Sequence, residues 1–164
     1  MQVLALDLGS STGWALGPSV VSGTWTHKPG RYDGGGMRYL RFRAWLSEMQ
    51  GLAENRLGAV FFEEVRGHKG VDAAHVYGGF LAHLSAWCEE NGVPYEGVPV
   101  QTIKKHATGK GNSGKPAMIA AASAWVGRRI PADADDEADA LCLLRWVLET
   151  RPEFSQTRRR VRVG

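Results

Sequence analysis

Near its start the chain contains Val3-Leu4-Ala5-Leu6-Asp7-Leu8-Gly9-Ser10, an aliphatic run with a single acid that stops at a glycine. Such a run predicts a buried β-strand that ends in a tight turn. Asp7 lies near the carboxyl end of this strand, where a buried carboxylate needs a compensating partner. A second apolar run, Ala59-Val60-Phe61-Phe62, is followed directly by Glu63 and Glu64. The sequence therefore predicts two buried strands that each carry a carboxylate near the carboxyl end.

The last predicted helix adds two more acids to this pattern. Its apolar stripe, which includes Ala140, continues backward at a spacing of three to four residues onto Asp136 and Asp139. Arg145 is the only base in that helix, so a divalent cation explains four converging carboxylates better than ion pairs do. Oxygen ligands without His or Cys favour Mg²⁺ or Mn²⁺ over zinc. Taken alone, each acid also fits an ordinary role as a turn cap, a solvated side chain or a helix N-terminal acid.

The order of the predicted elements indicates a mixed α/β domain. Strands come first, strand and helix then alternate, and helices finish the pattern, which is typical of a central sheet covered on its faces. We assign residues 1–150 to this domain and residues 151–164 to a basic, flexible tail with too few apolar residues to pack. The predicted strands cover residues 2–8, 14–16, 22–25, 59–65 and 94–98, and the predicted helices cover residues 37–56, 73–91, 102–107, 116–126 and 133–149.

Positive charge is concentrated in the tail. Residues 151–164 contain five arginines and one glutamate and carry +4, whereas the remaining 150 residues carry −1. The domain therefore lacks the overall positive charge of a protein that binds nucleic acid without selectivity. Any binding to phosphate must use a local group of basic residues. The longest apolar runs are far shorter than the roughly 20 residues of a membrane span. Cys88 and Cys142 fit reduced core positions, so we expect a cytoplasmic protein.

Three short acidic motifs follow one another along the chain. They are Leu6-Asp7-Leu8-Gly9-Ser10 with Gly13, then Phe62-Glu63-Glu64-Val65, then Asp136-Glu137-Ala138-Asp139-Ala140-Leu141. In order and spacing they resemble the motifs of RuvC-type Holliday junction resolvases, which belong to the RNase H-like superfamily. The residues around the second motif are most similar to those of the phage-borne branch of that family.

This resemblance implies an RNase H-like fold with a mixed five-stranded sheet flanked by helices. It also implies a homodimer with two active sites, which nicks opposed strands of a four-way DNA junction. The family acid directly follows the apolar run, so Glu63 is preferred to Glu64. Two Mg²⁺ ions, or Mn²⁺ in their place, would activate water at a phosphodiester. The implied catalytic and metal-binding acids are Asp7, Glu63, Asp136 and Asp139.

The resemblance extends to the segment Ile103–Lys115, which contains four lysines and no acid. The family places lysines at the positions of Lys104 and Lys115, which implies a backbone contact for Lys104 and a catalytic, charge-offsetting role for Lys115. Family members carry an aromatic wedge three residues after the strand glutamate, whereas this chain has Arg66 there. An arginine need not open a junction in the same way. The expected DNA-binding residues are Lys104, Lys105, Lys110, Arg66 and Lys69.

Other functions share parts of these motifs. The stretch 109–115 matches the GxxxxGK spacing of a phosphate-binding P-loop, but a predicted helix precedes it and Pro116 replaces the hydroxyl residue. The stretch 7–13 also resembles the phosphate turn of sugar kinases and actin-like ATPases, which need two lobes. Two alternatives stay open: a broader RNase H-like nuclease for branched DNA or RNA:DNA hybrids, and a catalytically silent junction-binding module.

Overall fold

The computed structural model describes residues 1–155, and a five-stranded sheet forms its centre. The strands are β1 (Gln2–Asp7), β2 (Ser11–Gly17), β3 (Val21–Thr26), β4 (Leu57–Glu64) and β5 (Tyr95–Pro99). They lie side by side in the order β3-β2-β1-β4-β5. Within the sheet, β1, β2 and β3 form an antiparallel meander, while β4 pairs in parallel with both β1 and β5. The predicted α/β class and mixed five-stranded sheet are confirmed.

Helices cover both faces of this sheet. The described residues form α1 (Met37–Leu52), α2 (Val71–Asn91), α3 (Val100–Thr108), α4 (Lys115–Val126), α5 (Asp135–Thr150) and α6 (Pro152–Ser155). The apolar residues of α1 and α2 form one core with one face of the sheet, and those of α3, α4 and α5 form a second core with the other face. None of these helices is long and apolar enough to cross a membrane. The three middle strands, β2, β1 and β4, are therefore buried on both faces.

Alternation along β1 decides which way its acid points. Val3 and Ala5 belong to the core under α5, whereas Leu4 and Leu6 belong to the core under α1 and α2. Successive side chains of a strand point to opposite faces, so Asp7 lies on the α5 face.

The same alternation separates the two glutamates at the end of β4. Ala59 and Phe61 lie in the core under α5, so Glu63 continues that face and Glu64 lies on the other. The strand register therefore distinguishes two acids that are adjacent in sequence.

The packed part of the chain extends past residue 150. Phe154 in α6 is buried, and its ring centroid lies 5.9 Å from that of Phe61. The guanidinium of Arg151 lies over the rings of Phe61 and Trp146 at 5.7 and 5.6 Å. One aromatic side chain thus anchors the first residues of the predicted tail, which sequence patterning did not indicate. The arginine-rich residues 156–164 lie outside the described residues.

Candidate metal centre

Three carboxylates from separate elements meet at the carboxyl edge of the sheet. Asp7 is the last residue of β1, Glu63 is the second-last residue of β4, and Asp139 lies in the second turn of α5. Each offers one oxygen, and these three oxygens lie within 4.8 Å of one another. All three residues are partly buried. Closely spaced carboxylate oxygens of this kind are the donors that a hard divalent cation prefers.

Strand pairing explains why two of these acids meet. Because β1 and β4 are parallel neighbours in register, their carboxyl ends reach the same edge of the sheet. Asp7 and Glu63 stand at those ends and point to the α5 face. Glu64 points to the other face, where its Oε1 lies 3.4 Å from Nε of Arg66. The structure therefore brings Glu63, and not Glu64, to Asp7.

Close packing of α5 on β2 brings the helix acids to the strand acids. Gly13 pairs with Asp7 in the sheet, and a Cβ atom at Gly13 would lie 1.8 Å from the backbone carbonyl oxygen of Asp136. Only glycine leaves room for the helix backbone at this point. Beside it in β2, the fully buried Thr12 donates its hydroxyl to the carbonyl of Gly9 in the preceding turn at 2.7 Å. The N-terminus of α5 therefore packs against the start of β2.

Asp136 is the predicted ligand that lies outside the group of three oxygens. It belongs to the first turn of α5, one turn before Asp139. Burial is the main cause of the raised pKa values of Asp7, Glu63 and Asp139, and the charge of Asp136 adds to each of them. Asp136 therefore contributes negative potential to the centre, and its role as a ligand stays a prediction.

The acids of the centre hold protons more tightly than ordinary carboxyls do. Burial, followed by repulsion from Glu63 and Asp139, raises the pKa of Asp7 well above 3.8. Burial also raises the pKa of Glu63, although a hydrogen bond with Asp7 and the charge of Lys104 oppose the rise. For Asp139, burial and the charge of Glu63 raise the pKa to about 7. A divalent cation would supply the positive charge that these carboxylates need, so the donor set fits such an ion.

In the absence of divalent ions, Asp139→Asn is expected to stabilise the protein at about pH 8 and to change little at about pH 4. An acid whose pKa rises from 3.8 to about 7 on folding adds stability below its unfolded pKa, and that stability is lost as the pH rises through 7. Asparagine does not ionise, so the variant should gain on the order of 2–4 kcal/mol at the higher pH. Thermal unfolding in chelator at both pH values measures the difference.

Two comparisons make that result specific to the centre. Glu48→Gln, at an exposed position of α1, should show no such dependence on pH. Added Mg²⁺ at the higher pH should raise the unfolding temperature of the wild type more than that of Asp139→Asn. An Asp139→Asn variant that is less stable than the wild type at about pH 8 would contradict repulsion within the centre.

Tyr77 holds the end of β4 in place. Its hydroxyl donates to the carbonyl oxygen of Glu63 at 2.8 Å and accepts from the amide of Val65 at 3.2 Å. The side chain comes from α2 and is buried, so it ties that helix to the strand that carries the acid. No sequence motif marks this role, because the tie depends on the tertiary approach of α2 to β4.

Two of the predicted basic residues lie close to the acids. The positive charge of Lys104, in α3, opposes the burial that raises the pKa of Glu63 and Asp139. Lys115, the first residue of α4, has its Nζ 2.7 Å from Oδ2 of Asp135. Sequence reasoning did not select Asp135, since three neighbouring acids at the start of a helix are distinguished only by what packs beside them. The other predicted DNA-binding residues, all exposed, are Lys105, Lys110, Arg66 and Lys69.

A groove of about 590 Å³ adjoins the candidate metal centre. We call it the basic groove, and it is lined by residues 64–67, 99–101, 104 and 111–112. Arg66 and Lys104 supply its positive charge, and the lining acid Glu64 lies 3.4 Å from Arg66. A groove of this kind fits the backbone of a nucleic acid.

The glycine-rich loop between α3 and α4 is not a P-loop. It follows a helix instead of a strand, as the sequence predicts, and Pro116 stands where the hydroxyl residue is needed. Within the loop, Ser113 donates to the carbonyl of Lys110 at 2.9 Å, and its hydroxyl also contacts that of Thr108. These contacts hold the loop as one wall of the basic groove.

The sheet order, the helices on both faces and the acids at the carboxyl ends of β1 and β4 together define an RNase H-like fold with a candidate metal centre. Solved structures of other proteins share this fold. The chain is similar to T. thermophilus RuvC in complex with Holliday junction substrate, with a TM-score of 0.71 and 21% identity over 90% of this chain and 94% of that chain. A further structure of Thermus thermophilus RuvC gives a TM-score of 0.69 and 20% identity, with 90% and 95% covered. No protein-family model and no curated protein matches the sequence. The fold is therefore RuvC-like.

Proposed function

We propose that this protein is a divalent-metal-dependent endonuclease that resolves four-way DNA junctions by paired nicks. The observation that carries the proposal is the convergence of Asp7, Glu63 and Asp139 beside the basic groove. Carboxylates repel phosphate unless a cation lies between them, so acids at the edge of a basic groove favour phosphodiester hydrolysis over binding alone. The fold shared with RuvC, which was solved with a Holliday junction substrate, supports branched DNA as the substrate class.

The acids of the candidate metal centre would bind the metal ions, and a nearby lysine would act on the phosphate. Asp7, Glu63 and Asp139 would hold one Mg²⁺ or Mn²⁺ ion, and Asp136 would contribute to a second. Such ions, when bound, supply an activated water and stabilise the leaving oxygen during in-line attack on the phosphodiester. Lys115 would leave Asp135 to offset charge on the phosphate, because its side chain is 77% exposed and free to turn.

Binding would use the remaining bases and a second copy of the chain. Lys104 would contact the DNA backbone in the basic groove, and the exposed Lys105, Lys110 and Lys69 would contact it outside the residues that line the groove. Arg66 would stack on a base or bind phosphate, at the position where RuvC-type resolvases carry an aromatic residue. Paired nicks need two centres, so the proposal includes a homodimer whose two-fold axis matches that of the junction. The residues around the second acidic motif support assignment of the protein to the phage-borne branch of RuvC-type resolvases.

A cleavage assay tests the proposal. The protein, with Mg²⁺ or Mn²⁺, is incubated with a mobile four-way junction, a three-way branch, linear duplex and an RNA:DNA hybrid. Symmetric paired nicks on the four-way junction alone are the expected result. Equal cutting of the simpler branches or of the hybrid would assign a broader RNase H-like nuclease, and junction binding without cutting in either metal would assign a silent binding module.

Lys115→Ala is expected to slow junction nicking by about 10²-fold or more, since it removes a charge that offsets the developing phosphate charge. The change should fall on the cleavage rate under single-turnover conditions, with little effect on junction affinity. Nicking of a radiolabelled junction in Mg²⁺ gives the rate directly.

Lys105→Ala is the matched control, since Lys105 is an exposed lysine of the neighbouring helix. Its loss should weaken binding and reduce the salt dependence, with a small effect on the rate of the bound complex. A loss below about threefold for Lys115→Ala would leave Lys115 as a solvated surface residue.

A further inference from the structure

The segment between β3 and α1 presents an aromatic side chain on an ordered turn. The amide of Asp33 donates to the carbonyl of Gly30 at 3.1 Å, and a carboxylate oxygen of Asp33 accepts from the amide of Gly30 at 2.7 Å. Arg41, from α1, binds both oxygens of the same carboxylate. Arg31 and Tyr32 are the two central residues of this turn, so the contacts around Asp33 fix the backbone that carries them.

Tyr32 is exposed to an unusual degree for its size. Its exposed fraction is 91%, whereas that of Tyr95 is 38% and that of Tyr77 is 9%. The guanidinium of Arg31 lies 5.6 Å from the centre of the Tyr32 ring. A ring that is exposed on a fixed turn is available to stack on a flat partner such as a nucleobase.

The turn leaves the sheet at the edge that carries the candidate metal centre. Thr26, at the end of β3, pairs with Ser11, and the amide of His27 donates to the carbonyl of Ser10 at 3.2 Å. Ser10 belongs to the turn that follows Asp7. Two strand spacings separate β3 from β1, about 10 Å, and the five residues from His27 to Tyr32 span at most about 18 Å. Tyr32 therefore lies within about one duplex turn, roughly 34 Å, of the acids.

The charge around the turn favours nucleic acid as the partner. The segment from His27 to Arg43 contains five lysines and arginines and a single acid, Asp33. Arg41 pairs with Asp33 and Arg43 pairs with Glu90, so Lys28, Arg31 and Arg38 carry the remaining positive charge. Such a surface attracts phosphate, whereas a protein partner would need a matching acidic patch. An aromatic ring beside an arginine also matches the way proteins stack on bases irrespective of sequence.

We propose that the Arg31–Tyr32 turn is a base-stacking site for an unpaired nucleotide of the DNA that the centre cuts. This inference rests on the proposed function for its substrate, and it adds a contact away from both the basic groove and the acids. Tyr32 would stack on a base exposed at the branch point, and Arg31 would hold the ring and contact the adjoining phosphate. The site would thereby favour branched or locally opened DNA over continuous duplex.

Binding to single strands tests the site without any cleavage. Fluorescence anisotropy in chelator measures the affinity of the full chain for a labelled oligothymidylate and for an abasic strand of the same length. Tyr32→Ala should weaken binding of the oligothymidylate by about 5- to 100-fold and leave binding of the abasic strand unchanged. Tyr32→Phe should bind as the wild type does, since stacking needs the ring and not the hydroxyl.

Tyr95→Ala is the matched control, because Tyr95 begins β5, at the far end of the strand from the acids, and should bind both strands normally. Equal losses on both strands, no loss on either, or a change in self-association instead would each overturn the stacking site. Base-dependent binding in a protein that cuts no junction would keep the site and reject the nuclease. Junction cutting without base-dependent binding would keep the nuclease and reject the site.

Discussion

Asp7→Asn is expected to abolish junction cleavage, by about 10³-fold or more, while junction binding is retained or becomes tighter. Asp7 belongs to the group of three oxygens and lies between the charges of Glu63 and Asp139. Asparagine keeps the shape of the side chain but removes one anionic ligand and one repulsion toward phosphate. Single-turnover cleavage in Mg²⁺ and electrophoretic binding assays in chelator separate the two effects.

The matched control for Asp7→Asn is Glu48→Gln, which also neutralises an acid but at an exposed position of α1 on the other face of the sheet. It should cut and bind as the wild type does. Normal cleavage by Asp7→Asn, with or without weaker binding, would remove the centre from the mechanism.

Gly13→Ala is expected to damage both stability and cleavage, because the new methyl group would overlap the backbone of α5. Its carbon would lie 1.8 Å from the carbonyl oxygen of Asp136, 2.1 Å from the carbonyl carbon and 2.7 Å from the amide nitrogen of Glu137. Backbone atoms cannot rotate away as a side chain can, so β2 and α5 must separate. We expect a destabilisation of about 3 kcal/mol. A shift of about 1 Å in Asp139 would cost about 10²-fold in cleavage rate.

Thermal unfolding and cleavage well below the unfolding temperature measure these two effects. Gly78→Ala is the control, since a Cβ atom there would meet nothing within 4 Å and the position is helical. That variant should gain about 0.5–1 kcal/mol. If Gly13→Ala is as stable and as active as the wild type, then α5 can shift without cost and its position does not depend on Gly13.

Much of the candidate centre could be predicted from the chain itself. Asp7 stands at the carboxyl end of one apolar run, Glu63 and Glu64 follow another, and Asp139 lies on the apolar stripe of its helix. Local periodicity therefore indicates Asp7, Asp139 and one of the two adjacent glutamates. The choice between Glu63 and Glu64 rested on the family resemblance, and the alternation of β4 supplies its physical reason. The same local reasoning overlooked the packing of Phe154, because one buried ring in a polar segment produces no periodic pattern.

The sequence by itself determined the α/β class, the order of strands and helices along the chain and a short set of candidate acids, because apolar spacing of two or of three to four residues is a local property of the chain. Only the tertiary structure decided that Asp136 lies outside the group of three oxygens, that Gly13 seats α5 and that Tyr77 ties α2 to β4. It also decided that the Arg31–Tyr32 turn leaves the sheet at the edge of the acids. These features depend on which elements approach one another and how closely, and that is set by the packing of side chains from distant parts of the chain.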